Sequence, residues 1–263
     1  MYNCTIFKGF KRTGNHIIIF NMIDNILNNT EENNELNNIG TWLFYNHEKK
    51  LIYFNCIDAH FDLYRNLIWA NITNDSSLKT TLIDILYKFF CDKDVTKEQI
   101  IKFIETPITS EYNIFLSIED TVFVKEDDIL HDIFGKDSYK FNTFYIIRDI
   151  DSLYASRKKT GWMPANYEFI DSYINYFNTY EVHNNFIIFN KYLTDYEYRK
   201  NIHNKALINN YRIFETSREL PIGNSSFEDK TNVLDRSYLL DDIDMELLSR
   251  SELNEIKIKI KAI

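Results

Sequence analysis

The sequence predicts an α/β fold: a three-layer sandwich with a central, mostly parallel sheet flanked by helices, built as one domain over residues 1–263. Short β-branched or aromatic runs alternate along the chain with longer segments of helical periodicity, the pattern of repeated βα units. Two of those runs, Asn113–Ile118 and Asn142–Ile147, are compact and apolar, consistent with central parallel strands buried on both faces. Neither an internal repeat nor a Gly- or Pro-rich linker divides the chain, which has 6 Gly and 3 Pro.

The elements follow in order. Thr5–Gly9 reads as a strand and Lys11–Gly14 as a turn. A helix begins at Asn15, its stripe formed by Ile19, Met22, Ile23, Ile26 and Leu27. Asn28–Asn38 is polar and reads as an exposed loop, and Trp42–Tyr45 and Leu51–Cys56 as a hairpin or two neighbouring strands. Leu78–Phe90 and Lys97–Glu105 read as helices, the second stopped before Pro107. After the two apolar strands, helices are expected at Ser152–Lys159 and Tyr167–His183, a strand at Phe186–Phe189 and a helix at Asp195–His203. The charged tail after Ser226 gives no clear pattern.

Composition narrows the function. With 44% hydrophobic and 16% aromatic residues the chain can bury a large core, which excludes a disordered protein. A net charge of −9 argues against nucleic acid as a partner, because phosphate neutralisation dominates such binding. A local basic pocket for one small anion remains compatible with it. The three cysteines, Cys4, Cys56 and Cys91, are too few and too scattered for a disulfide framework or a zinc site and read as reduced core thiols. No stretch reaches the roughly 18 apolar residues of a membrane-spanning helix. The N-terminal residues lack the order of a signal peptide, so no membrane insertion and a cytoplasmic location are expected.

The first strand–turn–helix unit carries the strongest chemistry: Lys8, Gly9, Phe10, Lys11, Arg12, Thr13, Gly14, Asn15, His16. A helix N-terminus offers backbone N–H groups and a partial positive charge to a phosphate. Gly14 permits close approach and positive φ, Arg12 supplies a permanent forked cation, and Thr13, Asn15 and His16 carry further donors. No Lys-Ser/Thr pair follows Gly14, so the magnesium-binding hydroxyl of P-loop nucleotide hydrolases is missing. A basic turn capping a core helix is the structural alternative.

A second constellation is Arg148-Asp149-Ile150-Asp151-Ser152-Leu153-Tyr154-Ala155-Ser156-Arg157. Arg148 ends a buried strand, and Ser156 lies about two helical turns into the following helix, so both can converge on one anion. The structural alternatives are an ion pair of Arg148 with Asp149 or Asp151 and an ordinary helix serine at Ser156.

Arg12-Thr13-Gly14 resembles the 5′-phosphosulfate loop of sulfotransferases that use 3′-phosphoadenosine 5′-phosphosulfate (PAPS), with Asn15-His16 departing from the two hydroxyl residues usual there. Arg148, Asp149 and Ser156 resemble that family's 3′-phosphate motif, with Ile150 in place of the usual proline, and Ser156-Arg157 is similar to its carbohydrate-sulfating branch. Phe189-Asn190-Lys191-Tyr192, Tyr198-Arg199 and Gly223-Asn224-Ser225-Ser226-Phe227 look like elements of bacterial and phage-type members, in which a late Gly-rich loop helps close over the nucleotide. The resemblance spans Phe7–Phe227, but its strong matches lie in the two phosphate motifs.

The resemblance implies a P-loop NTPase-like sulfotransferase fold, PAPS as donor with 3′-phosphoadenosine 5′-phosphate (PAP) as product, no metal requirement, and transfer to a small-molecule or glycan acceptor, a carbohydrate slightly favoured. It makes Lys8, Lys11, Arg12, Thr13, Gly14, Asn15, His16, Arg148, Ser156, Gly223, Ser225 and Ser226 candidate nucleotide contacts, with Arg12 the catalytic cation. It places the general base near the end of the strand before Arg148, giving Glu119, then Asp120, with His60 third. The carboxylates serve equally as a cap or ion-pair partners, and His60 as a structural histidine. Two other readings stand beside this one: a non-catalytic nucleotide-binding or interaction protein on the same scaffold, and a P-loop kinase.

Overall fold

The computed structural model describes residues 2–27, 37–39, 43–56, 66, 69–70, 75–90, 96–120, 122–123, 125–134, 139–161, 165–181, 183, 185–206 and 237–262. Strands β1 (Tyr2–Gly9), β2 (Asn37–Ile39), β3 (Leu43–Asn46), β4 (Leu51–Cys56), β5 (Asn113–Glu119), β6 (Tyr139–Ile147) and β7 (Phe186–Ile188) lie in the order β2-β3-β4-β5-β1-β6-β7. The β2–β3–β4 pairings are antiparallel, whereas β4–β5 and β6–β7 are parallel. The class is therefore α/β with a mostly parallel sheet. The chain groups into two compact units, one from residues 1–8 and 30–143, the other from 9–29 and 144–263.

In the first unit, helices α2 (Ser76–Phe90), α3 (Lys97–Glu105) and α4 (Glu126–Phe134) accompany the strands. Ile52 and Phe54 of β4 face Ile114 and Leu116 of β5 across a parallel register, and Cys4 and Ile6 of β1 join the same buried cluster. These i, i+2 sets share one sheet face by the two-residue period of a strand. Helix α3 adds Ile100, Phe103 and Ile104, at the spacing of one helical face. Thr96 and Gln99 close its N-terminus as a capping box, and Thr106, preceding Pro107, is extended, which ends it. Burial pushes the Cys4 thiol up to about 12, so it stays protonated at neutral pH.

The second unit contains α1 (Asn15–Leu27), α5 (Ile150–Thr160), α6 (Tyr167–Tyr180), α7 (Phe189–Thr194), α8 (Tyr196–Lys205), α9 (Asp242–Leu247) and α10 (Ser251–Ala262). Asp149, Asn166 and Asp195 cap α5, α6 and α8 through their side chains, each accepting from a backbone N–H three residues on. Gly161 closes α5 at φ 73°. Helices α9 and α10 are tied back by ion pairs: Lys158 to Asp241 and Asp244 at 2.9 and 2.7 Å, Lys257 to Asp151 at 2.7 Å, and Lys259 to Glu181 at 2.9 Å.

Four expectations about elements change. Asn37 and Asn38, read as loop, pair with β3, because a short edge strand needs backbone bonds and no apolar side chains. Helix α4 is absent from the sequence reading, although Ile129, Leu130, Ile133 and Phe134 recur at helical spacing in the sequence; among its described side chains Ile129, Leu130 and Phe134 are buried. Phe189, expected to end a strand, opens α7. The tail without a clear pattern holds α9 and α10, anchored by the ion pairs above and by buried Leu248, Leu253 and Ile256.

A buried polar network joins α1, α7 and α8. The Tyr192 hydroxyl donates to Asn21 Oδ1 at 2.7 Å and lies 2.6 Å from His203 Nε2, while Arg199 donates to the Tyr192 and Leu193 carbonyls at 2.8 and 3.0 Å. Burial, with the nearby Arg199 charge second, pulls the His203 imidazole down to about 3. The folded state therefore keeps His203 neutral over a range where the unfolded chain, with a pKa of about 6.5, takes up a proton. This contribution is fully present above about pH 6.5 and is lost as pH falls toward 3, at up to about 1.4 kcal/mol per pH unit. Urea unfolding at pH 6.5 and 5.0 should show a larger loss for the wild type than for His203→Gln; equal losses would contradict it.

Candidate functional site

The site residues of the second unit assemble around the turn between β1 and α1. Ile18 N–H donates to the Gly14 carbonyl at 3.1 Å, so the helix's own carbonyls do not reach the amides of its first turn. The turn is folded on itself: Thr13 N–H donates to the Phe10 carbonyl at 3.0 Å, and Thr13 Oγ1 lies 2.7 Å from that carbonyl and 2.5 Å from Asn15 Oδ1. A hydroxyl has one proton, so it serves one of these acceptors at a time. Thr13 and Asn15 are both buried, as is Lys8 at the end of β1. The Thr13 and Asn15 side chains build the turn, and the loop residues with accessible surface are Lys11, Arg12, Gly14 and His16.

Two glycines are required by space. A Cβ at Gly9 would lie 2.6 Å from Thr13 Oγ1 and 2.9 Å from Asn15 Oδ1. Gly14 has φ 100°, and a Cβ there would meet the Phe189 ring at 2.0 Å. Arg12 also has positive φ, 78°, which costs a non-glycine residue about 1–2 kcal/mol.

Two arginines hold that conformation. Arg148 Nη1 donates to the Arg12 carbonyl at 2.9 Å and Arg157 Nη1 to the Lys11 carbonyl at 3.3 Å. Both are 3% exposed. The Arg148 guanidinium lies 5.1 Å from the centre of the Phe189 ring, and that of Arg157 lies 4.3 Å from the centre of the Phe169 ring. A hydrogen bond from a charged donor contributes about 1.5–3 kcal/mol, so two of them outweigh the strain at Arg12.

The Arg12 side chain turns back to the second motif, its Nε donating to Ser156 Oγ at 3.2 Å. Ser156 is fully buried in α5. Beneath the loop, Phe10 contacts three rings of α6: Phe169, Tyr173 and Tyr176, at centroid distances of 5.3, 6.3 and 5.2 Å. Tyr173 and Tyr176 donate to the carbonyls of Arg148 and Ile146 at 2.9 and 3.2 Å, fixing the end of β6. Burial raises both hydroxyls well above their usual pKa, so they remain donors.

Thus Arg12, Thr13, Gly14, Asn15, Arg148 and Ser156 come together in one unit. Asp149 caps α5 through a bond from Ser152 N–H, and Asp151 meets Lys257. Burial, with the neighbouring Asp151 charge second, raises the Asp149 carboxyl above its usual range. Glu119 and Asp120 belong to the other unit. Glu119 is buried at the end of β5 with Ser117 Oγ 3.5 Å from its Oε1, and Asp120 follows it at φ 65°. His60, Gly223, Ser225 and Ser226 lie outside the described residues.

Sequence reasoning missed Phe169, and the contacts by which Gly9, Arg157 and Phe189 meet the loop or its arginines. The aromatic spacing Phe169, Tyr173, Tyr176 marks a buried helix face but does not name Phe10 as what it covers. Among the described residues no cluster of His, Cys, Asp or Glu is arranged to hold a metal, and no helix is long and apolar enough to cross a membrane. No family model, curated protein or solved structure matches the chain.

Proposed function

We propose that the protein is a sulfotransferase of the P-loop-like α/β type, moving a sulfuryl group from PAPS to an acceptor hydroxyl or amine, with a carbohydrate slightly favoured. The observation that carries this reading is the Arg12 Nε–Ser156 Oγ hydrogen bond, which joins the two motifs across 144 residues of sequence. The half-buried Arg12, at the N-terminal end of α1, suits the bridging side of a phosphosulfate.

PAPS, when bound, supplies the activated sulfuryl group. As the acceptor–sulfur bond forms, the sulfur–oxygen bond to phosphate breaks and its electron pair stays on the phosphate oxygen. Arg12, with Lys11 assisting, stabilises the charge that grows there. The acceptor's proton passes to a base, for which Glu119, Asp120 and His60 are the candidates from sequence.

A second reading, a non-catalytic binding or interaction protein on the same scaffold, is favoured by a separate observation: Arg148 and Ser156 are buried and engaged with the loop, where they serve its architecture.

Thermal unfolding tests the choice of ligand. PAP without magnesium should stabilise the protein more than ATP–Mg or ADP, by about 2.7 kcal/mol at 100 times its Kd. Equal shifts with PAP and ATP–Mg would remove the sulfotransferase reading. A PAP shift without transfer from labelled PAPS to glycans, phenols or peptides would leave the binding protein.

A further inference from the structure

We infer that Arg157 is a positioning residue that sets the conformation of the anion-binding loop by fixing one of the two peptide planes on either side of Arg12. Its consequence for PAP rests on the function proposed above; its consequence for the loop does not.

A peptide unit is planar and rigid, so the orientation of its carbonyl fixes the whole plane. The plane before the Arg12 Cα carries the Lys11 carbonyl, which accepts from Arg157 Nη1 at 3.3 Å. The plane after it carries the Arg12 carbonyl, which accepts from Arg148 Nη1 at 2.9 Å. The rotations of these planes about the Arg12 Cα are its φ and ψ. Two anchored planes therefore hold φ at 78°, a value that an arginine does not adopt by preference. In that conformation the Arg12 side chain reaches Ser156 Oγ.

Each guanidinium is anchored by an aromatic ring from a different helix. Phe169 of α6 lies against Arg157, and Phe189 at the start of α7 lies against Arg148. Phe169 also packs edge-on against Phe10, so the ring beneath Arg157 supports the loop from inside as well. Arg157 acts on the carbonyl of Lys11, so this role is one of holding the loop's backbone. A planar fork with several donors suits this position better than an ammonium, which lacks the flat face that lies on the ring.

The test compares the wild type with Arg157→Met, which keeps length without donors, and Arg157→Lys, which keeps charge without the planar fork. The first measurement is hydrogen exchange of the ligand-free protein over a peptide covering residues 9–16. Arg157→Met should speed exchange there by about tenfold or more, with β5 and α3 unchanged, and Arg157→Lys should fall between it and the wild type. The second measurement is PAP affinity, which should weaken by about tenfold in Arg157→Met and less in Arg157→Lys. Wild-type exchange over residues 9–16 in both variants overturns the inference, whether or not PAP binds. Uniformly faster exchange throughout residues 144–206 would also overturn it, making Arg157 a general support of the unit. If the wild type does not bind PAP while the loop still loosens in Arg157→Met, the positioning role stands and the sulfotransferase reading falls. Should Arg157→Met not fold, the graded response of Arg157→Lys decides by the same criteria.

Discussion

Under the proposed sulfotransferase function, Arg12→Ala should lower turnover by about 10²–10³, the loss associated with removing one positioned donor from a developing oxyanion. PAP affinity should fall much less, because the N-terminal turn of α1 remains and a group that acts in the transition state contributes little to ground-state binding. The backbone at this position makes the comparison clean. Alanine bears the same left-handed penalty as arginine at φ 78°, so the substitution leaves that strain unchanged. Arg12→Lys should recover part of the rate, as a cation without the fork. The measurement is kcat on an acceptor found by screening with labelled PAPS, alongside the melting temperature. A variant that turns over at the wild-type rate removes Arg12 from the mechanism. A variant with a lowered melting temperature and full activity per folded molecule makes Arg12 a cap of α1.

Gly14→Ala should be the most damaging small substitution in the loop. The added methyl would lie 2.0 Å from Phe189 Cε2 and 2.3 Å from Cδ2, and φ 100° is unfavourable for any side chain. Overpacking costs about 1–3 kcal/mol and the left-handed backbone about 1–2 more, so a loss of about 2–5 kcal/mol is expected in urea unfolding. Phe189→Leu removes part of the obstructing ring at its own cost. The double variant should be less destabilised than the sum of the two single ones by about 1–3 kcal/mol, the signature of a direct clash. Strict additivity would show that the methyl and the ring never meet.

The parts of this protein legible in its sequence are those governed by short-range periodicity. Lys97–Glu105 reads correctly as a helix because Thr96, Gln99 and Pro107 mark its ends and Ile100, Phe103 and Ile104 mark one face. Asn113–Glu119 is legible because Ile114, Phe115, Leu116 and Ile118 make a compact apolar run, and the strand is buried on both faces from Ile114 onward. Gly14 was expected to take positive φ, and it does. The positive φ of Arg12 was not legible, since no local residue causes it. It follows from two guanidiniums more than 130 residues away, and a sequence does not announce which carbonyl a distant arginine will find. Thr13 and Asn15 illustrate the converse. Their donor groups suggest ligand contacts, but a short turn has backbone and side-chain acceptors of its own to satisfy, and both residues lie inside it.

The second unit begins with residues 9–29 and resumes only at 144, and this interruption sets the order in which the protein can be made. During synthesis the loop leaves the ribosome early, whereas the arginines that orient its carbonyls follow 136 and 146 positions later. At about 5–20 residues per second the gap is roughly 7–30 s. Throughout that interval Arg12 has nothing to hold it in a left-handed conformation, and the nascent loop samples the ordinary right-handed and extended regions. Residues 30–143 can meanwhile collapse around their own strands and helices. The observed conformation of the loop is therefore a late event in the life of each chain, completed only once Arg157 and then Phe189 have emerged.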